Sequence, residues 1–179
     1  SRLKLEKDLI DSKEEIPKKH GLDSLNLDIL EKRLKQYRSK ISSFASKIKK
    51  IDKEVATARV EVESARETVK ITKEQFRLKE KIEASRKKLY DSKHGSLLNY
   101  LQSRDATLAS RRAHFDSINA VEGKTSAMSA KVSDRGTLLA DRNEFIAKWS
   151  SDLGEKLAKE EETYVQLEQQ DLKLNQNVK

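Results

Sequence analysis

Apolar residues recur through the middle of the chain in steps of four and three. From Leu30 the series runs through Leu34, Tyr37, Ile41, Phe44, Ile48, Ile51, Val55, Ala58, Val62, Ala65 and Val69 without a miss. Positions spaced in this way line one seam of an α-helix, and a seam of this kind needs a partner helix. The pattern predicts one long helix over 28–92, about 100 Å at a rise of about 1.5 Å per residue. Past Phe76 the large apolar residues move by two positions, to Ile71, Leu78, Ile82 and Leu89 with Ser85 among them. That offset reads as a slip of register that alters the winding of the pair.

A break follows at 91–96. Gly95 is suited to a positive φ that ends one helix, and Ser96 to capping the next. A tip turn is expected at 93–96 and a return helix at 97–179. Leu101, Leu108 and Phe115 lie seven apart in that helix, supported by Leu97, Ala113 and Ile118. The pattern weakens at 122–126. It resumes at Met128, Val132, Leu139, Ile146, Trp149, Leu153, Leu157, Tyr164, Leu167, Leu174 and Val178. Gly123, Gly136 and Gly154 each cost about 1 kcal/mol inside a helix and suggest bends or close backbone approach.

Before the long helix, residues 1–19 read as a short helix stopped at Pro17. Residues 20–27 read as a connector in which Ser24 or Asn26 caps the long helix. Folding back at Gly95 puts Ile51 opposite Leu138 and residue 179 opposite Ile10. The expected fold is all-α: a long antiparallel two-stranded coiled-coil hairpin with a short extra N-terminal helix. It would form a single domain over 1–179, a rod about 120 Å long.

Composition fits a narrow seam better than a thick core. Charged residues make up 38% of the chain, aromatic residues 5%, and there is one proline. The net charge of +8 comes from interleaved signs, without the clustered cations and aromatics that a nucleic-acid groove requires. Cysteine is absent, which excludes disulfides, thiol catalysis and cysteine-based zinc sites. His20, His94 and His114 are dispersed and lack metal-ligand spacing. Phosphate-binding and nucleophile-elbow motifs are missing. Glu160, Glu161 and Glu162 read as a solvated face, and Trp149, beside Phe145 and Ile146, as a large knob in the seam. An open two-helix hairpin offers no pocket that excludes water, so the chain is expected to be no enzyme and to need no cofactor or metal. No apolar run approaches 18 residues and no signal peptide is present. The opening at Ser1 and the end at Lys179, in mid-pattern, suggest an excised fragment.

The turn and its flanks resemble a known family. Leu89, six intervening residues and Ser96, then Leu97-Leu98-Asn99-Tyr100-Leu101, are similar to the hairpin tip of bacterial periplasmic adaptors, the membrane fusion proteins of hemolysin D type. Their tip carries R-x3-L-x6-S; here Leu89 and Ser96 match, Ser85 holds the arginine position, and Arg86 stands beside it. A short first helix, a connector, two long helices and a Gly-Ser turn also match the layout, as does the stretch Glu144-Phe145-Ile146-Ala147-Lys148-Trp149. The resemblance implies a periplasmic segment that bridges an inner-membrane ABC exporter to a TolC-like outer-membrane channel in type I protein secretion. It implies a homo-oligomer, a hexamer, with the membrane anchor and further domains outside this segment. It also implies a channel-docking tip made by Arg86, Leu89, Lys93, Gly95 and Ser96. The competing reading is a generic structural coiled coil, BAR-like, spectrin-like or a scaffold segment. Against it stand the short first helix, which a spectrin repeat would not have, and the interleaved charge, which a BAR-like membrane binder would not show. A tRNA-binding arm of a larger enzyme is a third reading.

Overall fold

The structure, a computed structural model, describes residues 1–12, 14–19 and 21–177, with side chains as far as residue 173. His20 and the seam positions Leu174 and Val178 lie outside the described side chains. Three helices account for the regular structure among the described residues: α1 (Arg2–Ser12), α2 (Ser24–Asp91) and α3 (Leu97–Asn177). The two long helices pack against each other, joined by a tight turn.

The helix ends depart from expectation for local reasons. α1 stops at Ser12, five residues before Pro17, and Ser12 Oγ accepts the Glu14 N–H at 3.3 Å. That bond offers the chain an alternative to the next helical turn. Gly21 then takes φ 63°, a conformation costly for a side chain with a Cβ. The cap of α2 is Asp23 rather than Ser24 or Asn26. Its Oδ1 accepts the Asn26 N–H at 2.7 Å, and Oδ2 accepts the Asn26 side-chain amide at 3.2 Å.

The Asn26 backbone N–H, and then its side chain, hold the Asp23 carboxyl below its ordinary value of 3.8. Because the folded state has the depressed value, the cap is fully present above that ordinary value and is lost as pH falls through the folded one. Acidification below about pH 4 should therefore fray the first turn of α2, and Asp23→Asn should remove that sensitivity. The Asn26 amide resonance checks this; an unchanged shift between neutral and strongly acid pH in the wild-type chain would contradict it.

Packing divides the chain into two units, one formed by 1–48 with 137–179 and the other by 49–136. In the first, α1 lies on α2 around Leu9, Leu30 and Leu34, with Leu5, Ile10, Ile16 and Leu22 packed at the edge. The three-residue step from Leu3 to Glu6 to Leu9 turns a carboxylate inward as well as two leucines. Glu6 is fully buried, and Arg33 Nε lies 2.8 and 2.9 Å from its two oxygens. Arg33 also donates to Asp152 at 3.3 Å, and its guanidinium sits 4.7 Å from the centre of the Trp149 ring. Trp149 packs on Tyr37 (5.4 Å between centres) and Phe145 (5.7 Å), while Phe44 reaches Phe145 from α2. It is a seam residue, as the heptads indicated.

The second unit is built differently. Every buried apolar side chain of the described residues belongs to the first unit except Val62. Ion pairs cross between the helices at Asp52–Arg135, Glu54–Lys131 and Glu61–Lys124. The Lys131 hydrogen bond draws the Glu54 carboxyl down, and the same bond raises Lys131. Glu54–Lys131 is half-buried and the other two pairs are exposed; each contributes little, but together they set which residue faces which. Numbers rise along α2 as they fall along α3.

The expected slip of register does not occur. The four-three frame continues past Val69 through Thr72, Phe76 and Glu83, all half-buried, while Ile71 and Leu78 are 57% and 59% exposed. On the part of the return helix that belongs to the second unit, the buried residues are Ser103, Thr107 and Ser117, not Leu101, Leu108 and Phe115. Each of the three hydroxyls is satisfied on its own helix: Ser103 donates to the Tyr100 carbonyl, Thr107 to Ser103 and Ser117 to His114, at 2.7 to 2.9 Å. Small self-bonded side chains carry no desolvation penalty and leave the large ones outside. α3 runs through Gly123, Gly136 and Gly154 unbroken, and a Cβ at any of them would meet nothing within 4 Å, so no close approach explains them.

Candidate functional site at the hairpin tip

The turn is closed by two nested backbone bonds, one spanning three residues and the other five. His94 N–H donates to the Leu89 carbonyl and Lys93 N–H to the Tyr90 carbonyl, both at 2.9 Å. This nested pair is the helix-ending motif that requires one left-handed residue. That residue is Lys93, at φ 60°, and not Gly95 as expected. Gly95 sits in close quarters instead: a Cβ there would stand 3.1 Å from Leu89 Cβ and 3.2 Å from Tyr90 N, so both would have to give by a few tenths of an ångström. Ser96 caps α3 as expected, its Oγ accepting the Asn99 N–H at 3.1 Å.

Two contacts tie the helices together just behind the turn. Tyr90 stacks on Tyr100 with 6.1 Å between ring centres and 11° between planes. Arg86 Nη1 donates to the Asn99 carbonyl at 3.0 Å. The turn thus gathers Arg86, Leu89, Gly95 and Ser96, with Lys93 exposed beside them. Arg86 is engaged within the hairpin, and Gly95 and Ser96 shape it. Leu89, 51% exposed, is free for an outside contact, with Leu97 and Leu98 exposed beyond the turn.

Behind the tip, the apolar residues left out of the seam form two stripes: Ile71, Leu78 and Ile82 on α2, and Leu101, Leu108 and Phe115 on α3. Sequence reasoning had placed both inside. The signal that could have placed them correctly was the four-three frame itself, which goes on through Thr72, Phe76 and Glu83 with one exposed position at Lys79. Within the second unit Phe76 stacks on His114, and Thr72 Oγ1 lies 2.8 Å from Ser117 Oγ and 3.2 Å from His114 Nδ1.

Among the described residues no group of three or more His, Cys, Asp or Glu side chains could hold a metal ion, and no helix is long and apolar enough to cross a membrane. No family model, curated protein or solved structure matches the chain.

Proposed function

We propose that this chain is the antiparallel coiled-coil hairpin of a periplasmic adaptor of hemolysin D type. In this reading it has no enzymatic role. Its tip docks a TolC-like outer-membrane channel, while segments outside it anchor the protein in the bacterial inner membrane beside an ABC exporter. Several copies act together. The observation that carries the reading is the tip itself. Leu89 stands exposed at the end of a helix pair, on a turn whose shape depends on Gly95 and Ser96, the residues that the family resemblance singled out. Support also comes from Arg86, which braces the turn from the position beside the family's arginine.

An exposed leucine on a rigid turn suits a shallow apolar pocket in a partner, where one well-placed side chain can dominate affinity. Leu89→Glu should weaken binding of this chain to a purified TolC-type channel at least tenfold, with helicity unchanged by circular dichroism. Immobilised channel and biolayer interferometry would measure it. Equal binding by the variant would remove the tip from the interface. Strong co-sedimentation with anionic vesicles, without channel binding, would favour a BAR-like membrane role instead.

A further inference from the structure

The exposed apolar residues of the second unit make up a seam of their own. On α2 the frame Ile71, Gln75, Leu78, Ile82, Ser85 and Leu89 steps four and three throughout, one residue before each position of the present seam. On α3 the frame Leu97, Leu101, Leu108, Phe115 and Ile118, with Arg104 and Arg111 between them, steps likewise, one residue after each present position. Every large apolar residue of both frames is exposed. One step back on α2 and one forward on α3 keep the antiparallel register. Leu89 then faces Leu101 where Tyr90 now stacks on Tyr100, and Ile82 faces Leu108 at the level where Glu83 and Thr107 line one groove. A turn of each helix about its own axis by about 100°, in the same sense seen from the tip, exchanges the seams without sliding.

Little in the middle resists that turn. Ser103 and Thr107 bond to their own helix, so parting there breaks no bond between helices. The present seam is held at its ends, by Tyr90 on Tyr100, Arg86 on the Asn99 carbonyl, Phe76 on His114 and Thr72 beside Ser117. The other seam buries large aliphatic residues and frees half-buried Glu83 to water. Against it stand Arg104 and Arg111, whose stems would lie in the seam while their heads reach out to solvent. The turn permits the exchange. The end of α2 closes on itself through the His94 and Lys93 N–H groups, α3 opens on its own Ser96 cap, and Gly95 stands between the two.

We propose that the second unit is a two-state device, in which rotation of the helices swaps the seams and draws Leu89 into the pair. One state displays Leu89 at the tip and the other sheathes it. A partner that takes Leu89 binds the first state alone and so holds the hairpin in it. The inference rests on the docking reading for this last consequence only; the exchange of seams stands without it.

The chain has no cysteine, so paired substitutions report each state cleanly. Glu83→Cys with Thr107→Cys marks the present seam, and Ile82→Cys with Leu108→Cys the other. Leu108 shares a groove with Glu80, and Ile82 lies about 200° round α2 from Glu80, so the second pair cannot bridge in the present state. Lys81→Cys with Ala109→Cys lies outside both seams and serves as the control. Under mild oxidation of dilute protein the 83/107 pair should bridge within the chain first. The 82/108 pair should also go to completion, about tenfold or more faster than the control, with helicity unchanged. Bridging at 82/108 no faster than the control overturns the proposal, because oxidation would then be trapping opened chains. Thr107→Glu spoils the present seam and should speed the 82/108 bridge, while Leu101→Glu should slow it; no response to either also overturns the exchange. Leu89 is intact throughout. The 82/108-bridged form should bind an immobilised TolC-type channel about tenfold more weakly than the 83/107-bridged form, and reduction should restore binding. Equal binding by the two bridged forms overturns the sheathing of Leu89. If the wild-type chain itself fails to bind, the docking reading falls, and the bridging rates alone decide the exchange of seams.

Discussion

Arg33→Ala should release α1 from the helix pair, at a cost of about 3 kcal/mol. The change takes away the only cation that meets the two oxygens of fully buried Glu6 among the described residues. A buried carboxylate without a partner keeps its desolvation penalty and loses the attraction that offset it. The same change ends the contact of the guanidinium with the Trp149 ring and its bond to Asp152. Arg33 itself is 23% exposed, so water reaches the gap and holds the cost toward the lower end of the range for broken buried pairs. Undocking α1 also caps the penalty, because Glu6 becomes solvated once the helix leaves. Chemical denaturation followed by circular dichroism would give the energy, and faster proteolysis near 14–19 would show its local character. Replacing both partners, Glu6→Leu with Arg33→Met, should restore stability to near the wild-type value. A double variant as unstable as Arg33→Ala would mean that the ion pair does more than neutralise itself.

Trp149→Ala should cost about 3 kcal/mol and lower the melting temperature of the first unit by roughly 10 °C. The indole is packed between Tyr37 and Phe145 and carries Arg33 on its face, so its removal opens a gap at the meeting point of three contacts. Its Nε1 is buried and makes no hydrogen bond, so the polar atom adds nothing that a phenyl ring would lose. Trp149→Phe should therefore cost no more than about 1.5 kcal/mol. Thermal melts of the two variants would decide the matter; equal loss in both would place the energy in the indole's size rather than in its ring contacts.

The proximal half of this architecture was legible because its seam is apolar. Leu30, Leu34, Tyr37, Phe44 and Trp149 sit where the four-three spacing put them, and the turn at 93–96 fell between the helices as read. The distal half misled for a single reason. Large apolar residues were taken to mark the inside, but Ser103, Thr107 and Ser117 fill the seam with hydroxyls bonded to their own helix, a solution that hydrophobicity cannot signal. The first helix was read seven residues too long because Pro17 was the visible stop and the Ser12 side chain was not. At the tip, Ser96 was legible as a cap. The left-handed turn fell to Lys93, since nested carbonyl bonds, not residue type, choose which position bends. Arg86 and Leu89 have one visible difference that sequence could not give: one is already engaged inside the hairpin and the other is not.

The hydroxyl seam has one more consequence. A side chain that bonds to its own backbone asks nothing specific of the helix opposite, so the contacts from Ser103 to Thr107 say little about alignment. Alignment there is inherited from its two ends, the stacked tyrosines near the turn and the Phe76–His114 pair further back. Between them the chain resembles a zip fastener with teeth only at its ends: the middle closes because the ends have closed.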